Sequence, residues 1–283
     1  MGTLRLEDVS YVYSPDTPFE KEALSQVSIE FKEKRTTGII GHTGSGKSTV
    51  AQLLNGLLRP ASGRVLLDGK DIFENPREIA KVRFRVGLVF QYPEYQLFEE
   101  TVFRDIAFGP TNMGLDEEEI KRRVLSAARF VGLPEELLDK SPFELSGGQK
   151  RRVAIAGIMA MEPDVIVLDE PAAGLDPRGR DEIFSGIRKW REERGATVIL
   201  ISHSMEDMAM YADDIVVMKE GRVLISGTVD EVFCHAELIE TSGLLIPQIT
   251  SMTNKLSSKG LIDGDGIYTV DRAFDAITKA LKG

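Results

Sequence analysis

Cysteine is nearly absent: Cys234 stands alone in 283 residues. That excludes an internal disulfide and fits a reducing compartment. No run approaches the roughly 18 consecutive apolar residues that a membrane helix needs. The amino terminus shows no signal-peptide pattern. Positive charge is also short, with 35 Lys and Arg against 45 Asp and Glu and a net charge of −10. This balance argues against general nucleic-acid binding. There is no internal repeat or low-complexity tract. What is present, 42% hydrophobic and 28% charged residues, suffices for a buried core under a soluble surface. The expectation is a soluble, cytosolic chain with one large domain, or a large one and a small appendage, that meets a membrane only through a partner.

The stretch that organises the rest is GHTGSGKST, residues 41–49. Gly41, Gly46, Lys47 and Ser48 have the spacing of a phosphate-binding loop. Its glycines let backbone N–H groups turn inward as a nest for a β-phosphate. Lys47 adds a point charge for the β/γ oxygens, and the Ser48 hydroxyl is a ligand for Mg²⁺. Apolar Gly38-Ile39-Ile40 leads in, and Val50, Leu53, Leu54 and Leu57 follow at helical spacing. Strand, loop and helix therefore aim the positive end of a helix dipole at the phosphates.

Around this loop the chain reads as alternating strands and helices. Residues 4–13 form a strand, residues 14–23 a loop, and residues 28–31 a second strand. Tyr11 and Tyr13, near the first strand's end, either stack on a nucleotide's adenine or pack on their own sheet. The helix after the phosphate loop is expected to run to near Pro60. A hairpin turns at Asp68-Gly69, residues 76–85 make a short basic helix, and residues 86–90 a strand ending at Gln91. Residues 90–108 hold Phe90, Tyr92, Tyr95, Phe98, Phe103 and Phe108 among the acids Glu94, Glu99, Glu100 and Asp105. Such a segment is either a partner-docking surface or a subdomain core with an acidic rim. Asp116 and Glu119 open a helix in the manner of a capping box, and its apolar stripe runs through Val131. From Gln91 to Pro163 the chain is expected to be mostly helical.

Two further stretches carry chemistry. LSGGQ, residues 145–149, opens a helix capped by Ser146, with Gly147 and Gly148 leaving the first N–H groups approachable by an anion. Taken alone, such a cap needs no ligand. VIVLDE, residues 165–170, is a buried parallel strand whose end delivers Asp169 to a metal and Glu170 to an attacking water. The alternation of side chains relaxes at a strand end, so both can reach one site. TVILISHS repeats the device with His203 at its tip. Three strands with polar tips beside a phosphate loop define one crevice, and His203 is expected to contact the γ-phosphate there. His42 and His235 have no such support. A hairpin at Glu220-Gly221 precedes a tail with helices at 230–240 and 271–282. Asp263-Gly264-Asp265-Gly266 is read as a turn, because Ile267 stands where a calcium loop needs another oxygen.

The combination of phosphate loop, LSGGQ and VIVLDE resembles the ATP-binding-cassette ATPases over roughly residues 4–230. The resemblance implies an α/β P-loop NTPase fold: an ATPase domain at 1–228, a helical subdomain at about 92–162, and a helical C-terminal extension at 229–283. It implies ATP and Mg²⁺, with Gly41, Gly44, Ser45, Gly46, Lys47, Ser48 and Thr49 on the phosphates and Tyr13 on the adenine. Ser48, Gln91 and Asp169 serve the metal, while Glu170, His203 and Gln91 serve catalysis. Two cassettes sandwich ATP head to tail, so Ser146, Gly147, Gly148 and Gln149 would meet the nucleotide held by the other subunit. Asp176 in AGLDP matches the loop that communicates between the sites.

A narrower resemblance, carried by VFQYPEYQLF, DIAFGPTNMG and LDEPAAGLDPRGR, is to the A-component ATPases of energy-coupling factor transporters, which import vitamins or transition metals. It implies a second cassette as partner (self or paralogue), a transmembrane T-component and a substrate-binding S-component, no nucleic acid, and a peripheral place on the cytoplasmic face of the cell membrane. In that branch the C-terminal extension contributes dimer contacts. The T-component inserts arginine-bearing helices beside the Gln91 loop, for which the acidic, aromatic 90–108 segment is a receiver. A conventional importer ATPase and a soluble, non-transport cassette protein are the alternatives.

Overall fold

The computed structural model describes residues 3–241, 243–262 and 267–282. The chain opens with strands β1 (Leu4–Tyr13), β2 (Lys21–Phe31) and β3 (Thr36–Gly41), then helix α1 (Lys47–Leu54). Strands β4 (Ser62–Leu67) and β5 (Lys70–Asp71), helix α2 (Ile79–Arg85) and strand β6 (Val86–Val89) follow. Helices α3 (Val102–Asn112), α4 (Glu117–Phe130) and α5 (Gly147–Met159) come next. Then β7 (Val165–Asp169), α6 (Pro177–Arg194), β8 (Thr197–Ile201), α7 (Met205–Tyr211), β9 (Asp214–Lys219) and β10 (Arg222–Thr228) complete the sheets. The C-terminal helices are α8 (Val229–Phe233), α9 (Ala236–Thr241), α10 (Gln248–Ser257) and α11 (Val270–Lys282).

Two sheets form. An antiparallel one has the order β2-β1-β4-β5, and the central one the order β10-β9-β3-β8-β7-β6. From β9 to β6 every pairing in the central sheet is parallel, and β10 adds an antiparallel edge. Strands β3, β6, β7 and β8 are buried at every position, as a sheet covered on both faces requires. The pleat sorts their side chains. Ile39, Val165, Val167, Ile199 and Ile201 face the core shared with the antiparallel sheet and α1. Ile40, Ile166, Leu168, Val198 and Leu200 face the helical side, which includes α3 to α6. Because β3, β8, β7 and β6 are parallel neighbours, their carboxyl ends lie along one edge, and that edge carries the site.

Several expectations hold. The Asp68-Gly69 hairpin has both turn residues at positive φ, 54° and 74°, the primed turn that suits twisted strands. No strand occurs among residues 91–163. Asp116 caps α4 by accepting the Glu119 N–H at 2.9 Å. The Glu119 carboxylate does not return to the cap, since Arg122 and Arg123 hold it.

Others need correction. β2 begins at Lys21, because pairing with β1 from Tyr13↔Lys21 to Leu4↔Phe31 extends it well beyond its own apolar pattern. α1 stops at Leu54 rather than near Pro60. Gly56 turns left-handed at φ 70°, and Leu57 is 42% exposed instead of continuing the apolar face. The expected 230–240 helix is two short ones, and α10 occupies the Ser/Gly-rich middle of the tail, where no helix was expected. Its threonines are poor helix formers, yet Thr250 and Thr253 are fully buried and the Thr253 hydroxyl bonds back to Ile249 O. Tertiary packing outweighs propensity there. The turn at 263–266 lies outside the described residues. Among the described residues no helix is long and apolar enough to cross a membrane.

Candidate active site

The loop after β3, the end of β7 and the segments after β6 and β8 converge on a cavity of about 250 Å³. Tyr13, Gly44, Gly46, Lys47, Ser48, Thr49, Gln91, Asp169, Glu170 and His203 line it. Lys21, Ala23 and Thr43 also line it, and the sequence reading passed over them. The phosphate loop is closed around its own lysine: Lys47 Nζ donates to Gly41 O at 2.7 Å and His42 O at 2.9 Å. Gly44 and Gly46 have φ of 82° and 102°. A Cβ on Gly46 would come within 2.5 Å of Leu24, and one on Gly41 within 2.4 Å of Met218 O. Close approach therefore requires glycine at 41 and 46, and at 46 the left-handed turn does so as well. Ser45 lies buried beside Gly41. The Tyr13 hydroxyl and Thr49 Oγ1 are 3.2 Å apart, and the Tyr13 ring meets Tyr11 edge to face.

Opposite the loop, Ser48 Oγ donates to Asp169 Oδ2 at 2.7 Å. Glu170 follows at φ 53°, a left-handed conformation that is strained for a residue with a side chain. That twist lets consecutive carboxylates enter one cavity. The Glu170 N–H is held by Ile201 O at 2.9 Å. Ser202 Oγ donates to Glu170 Oε2 at 3.4 Å, and His203 Nε2 lies 3.4 Å from Oε1. Oε1 is buried without a hydrogen-bond partner among the described residues. Burial, then the neighbouring Asp169 charge, pushes the Glu170 carboxyl up to about 7. Burial also raises Asp169 and lowers the Lys47 ammonium. His203 is lowered by burial and by Lys47. A buried carboxylate pair beside a hydroxyl is a hard-oxygen donor set whose mutual repulsion a divalent cation would relieve. Ser48 and Asp169 thus fit a magnesium ion.

Some candidates lie elsewhere. Ser146, Gly147, Gly148 and Gln149 do not line this cavity. They open α5 through a capping box in which Gln149 Oε1 accepts the Ser146 N–H at 3.0 Å. The Gln149 side chain is committed to the cap, and Gly147 leaves room above the helix start. Asp176 caps α6, accepting the Gly179 N–H at 2.7 Å. A Cβ on Gly148 would sit 3.3 Å from Leu175, so the signature helix abuts the loop that carries Asp176. Ser202, which neither pattern nor spacing had singled out, joins the site from the residue before His203.

The aromatic segment is largely surface. Tyr92, Tyr95, Phe98 and Phe108 are exposed, while Phe103 packs on the core. With Phe84, Asp105 and Met161, Phe98 and Phe108 border a second cavity of about 350 Å³. The acids of residues 90–108 are less free than expected. Glu94 accepts from Nε and Nη2 of buried Arg151, and Glu100 accepts from Arg104.

A phosphate loop facing a strand-end carboxylate pair, with an LSGGQ helix start outside their cavity, defines a nucleotide-hydrolysing cassette. The chain belongs to the ABC transporter family, whose pattern matches residues 24–173. It is 51% identical over 280 residues to the energy-coupling factor transporter ATP-binding protein EcfA2 of Caldanaerobacter subterraneus subsp. tengcongensis, covering 99% of this chain and 98% of that protein. It is 52% identical, with the same coverage, to EcfA2 of Clostridium acetobutylicum. Among solved structures it resembles cbiO1 from Clostridium perfringens, part of the ABC transporter complex cbiONQ, with TM-score 0.75 and 43% identity over 89% of this chain and 98% of that one. It also resembles a dimeric ATP-binding cassette in a post-hydrolysis state with ADP and Pi, with TM-score 0.72 and 29% identity over 80% of this chain and 98% of that one.

Proposed function

We propose that this chain is the ATP-binding, ATP-hydrolysing subunit of an energy-coupling factor membrane transporter. The observation that carries the reading is the Ser48–Asp169–Glu170 constellation at the ends of parallel strands, opposite Lys47. Near-full-length likeness to energy-coupling factor ATP-binding proteins selects the branch over a conventional importer or a soluble cassette protein.

Residues 1–228 act as the ATPase unit, with the helical part at 92–162 as its partner-facing subdomain and 229–283 as a helical extension. The 41–49 loop cradles the phosphates with inward N–H groups. Lys47 leaves Gly41 O and His42 O to meet phosphate oxygens, and Tyr13 flanks the base. Ser48 and Asp169, with Gln91, hold magnesium, which when bound neutralises charge on the phosphate oxygens. Glu170 takes a proton from the attacking water. A carboxyl poised near 7 is matched to that task at neutral pH. His203 stands where it can orient the same water or the γ-phosphate.

Because Ser146, Gly147 and Gly148 do not line this cavity, one chain is only half a site. A second cassette, docked head to tail, supplies the missing helix N-terminus, with Asp176 beside the junction. The exposed aromatic groove bordered by Phe98, Phe108 and Asp105 receives the transmembrane T-component, which places the chain at the cytoplasmic face of the membrane beside T- and S-components. The test is phosphate release and nucleotide binding by parent and Glu170→Gln. Binding is retained while turnover falls roughly 10²–10⁴-fold. Turnover within twofold of the parent contradicts the reading.

A further inference from the structure

The two oxygens of Glu170 are not equivalent. Oε1 has no hydrogen-bond partner among the described residues and lies 3.4 Å from His203 Nε2. Oε2 accepts from Ser202 Oγ at 3.4 Å. Ser202 is 4% exposed and directly follows β8, whose last residue, Ile201, holds the Glu170 N–H. Its hydroxyl also accepts the Ser204 N–H at 3.1 Å. A serine hydroxyl has a single proton; with an acceptor site of Ser202 taken by that backbone donor, the proton goes to the carboxylate.

Ser204 is itself pinned. Its Oγ accepts the Asp207 N–H at 3.1 Å and Arg180 Nη2 at 2.5 Å, and Arg180 Nε donates to buried Asp207 at 2.7 Å. A chain of hydrogen bonds therefore runs from α6 through Ser204 and Ser202 to one oxygen of Glu170. These bonds cap α7 at Ser204 and tie it to α6, which also fixes the turn that carries Ser202.

We propose that Ser202 is a positioning residue for hydrolysis: it holds Oε2 of Glu170 so that Oε1 faces the attacking water. The proposal rests on Glu170 being the base. In the step it serves, the water oxygen forms a bond to the γ-phosphorus and its proton passes to Oε1. The bond from phosphorus to the β–γ bridging oxygen breaks, with its electron pair leaving on ADP. The 3.4 Å separation is long for a hydrogen bond, and contacts of this kind shorten in the reacting complex.

The test is a double-mutant cycle on the transporter complex purified from host membranes, with Ser202→Ala, Glu170→Gln and the pair, plus Ser202→Thr and Ser202→Cys. We expect Ser202→Ala to lower kcat about tenfold, the worth of a hydrogen bond to a charged group, at unchanged KM and nucleotide affinity. Ser202→Thr keeps the hydroxyl and returns kcat to within about threefold. Ser202→Cys keeps the volume but donates weakly, so it behaves like Ala even should the Ala variant fold poorly. In the Glu170→Gln background Ser202→Ala changes residual turnover less than twofold, because its target is gone. A kcat within twofold of the parent for both Ala and Cys overturns the proposal, as does an equal loss in the Glu170→Gln background. Parental turnover by Glu170→Gln alone overturns the base reading, and this proposal with it.

Discussion

Replacing Glu170 by Gln is expected to stabilise the nucleotide-free protein, and to do so only where the glutamate is ionised. The Glu170 carboxyl titrates near 7, against 4.5 for an ordinary glutamate. The cause is burial first, then the adjacent Asp169 charge. Its Oε1 is buried without a hydrogen-bond partner among the described residues. The native state thus holds this proton more tightly than the unfolded chain does. The associated stability is complete below pH 4.5 and is lost as pH rises through 7. By pH 8 the ionised glutamate costs the fold about 3 kcal/mol, which uncharged Gln escapes. For a chain of this size that is a rise in Tm of roughly 5 °C. Melting curves with EDTA and no nucleotide should show that gain at pH 8 and only about a quarter of it at pH 5, where the native glutamate is protonated but most unfolded chains are ionised. An equal gain at both pH values, or a loss at pH 8, would refute the reasoning. The same variant should lose turnover, so the site trades stability for function.

Lys47→Ala removes the ammonium at the centre of the phosphate loop and should weaken ATP binding at least about 100-fold; titration with a fluorescent analogue tests it, and unchanged affinity would count against the loop's role. Arg151→Met strands Glu94, whose side chain is largely buried, and should cost about 3–5 kcal/mol in denaturant unfolding; a loss below 1 kcal/mol would show the pair to be dispensable. Gly186→Ala drives a Cβ to 1.9 Å from Phe130 O where α6 crosses the end of α4, and should cost about 1–3 kcal/mol or more by the same assay. A neutral alanine would mean that the two helices separate freely.

What was legible in the sequence was local. A glycine-rich turn between strand and helix, an apolar run ending in Asp169-Glu170 and a serine cap before two glycines each carry their geometry within a few residues. The structure gathers Lys47, Ser48, Gln91, Asp169, Glu170 and His203 at one cavity because their strands are parallel neighbours. What was hidden depends on distant partners. β2 begins at Lys21 because β1 pairs with it, and α10 exists because Thr250 and Thr253 are buried. Glu94 looked like a free surface acid until Arg151, 57 positions on, proved to hold it. Ser202 had one faint signal, a hydroxyl directly before the histidine at a strand tip. Only the fold brings Glu170, 32 residues away, into its reach.

The central claim is that this chain hydrolyses ATP through Glu170 within a membrane transporter. The most direct test tags it in its own host, extracts membranes with mild detergent and measures phosphate release by the purified complex, for the parent and for Glu170→Gln. A second cassette and integral membrane proteins should co-elute, and MgATP hydrolysis by this complex should fall roughly 10²–10⁴-fold in the variant. Recovery with soluble partners alone, or hydrolysis within twofold of the parent, would contradict it.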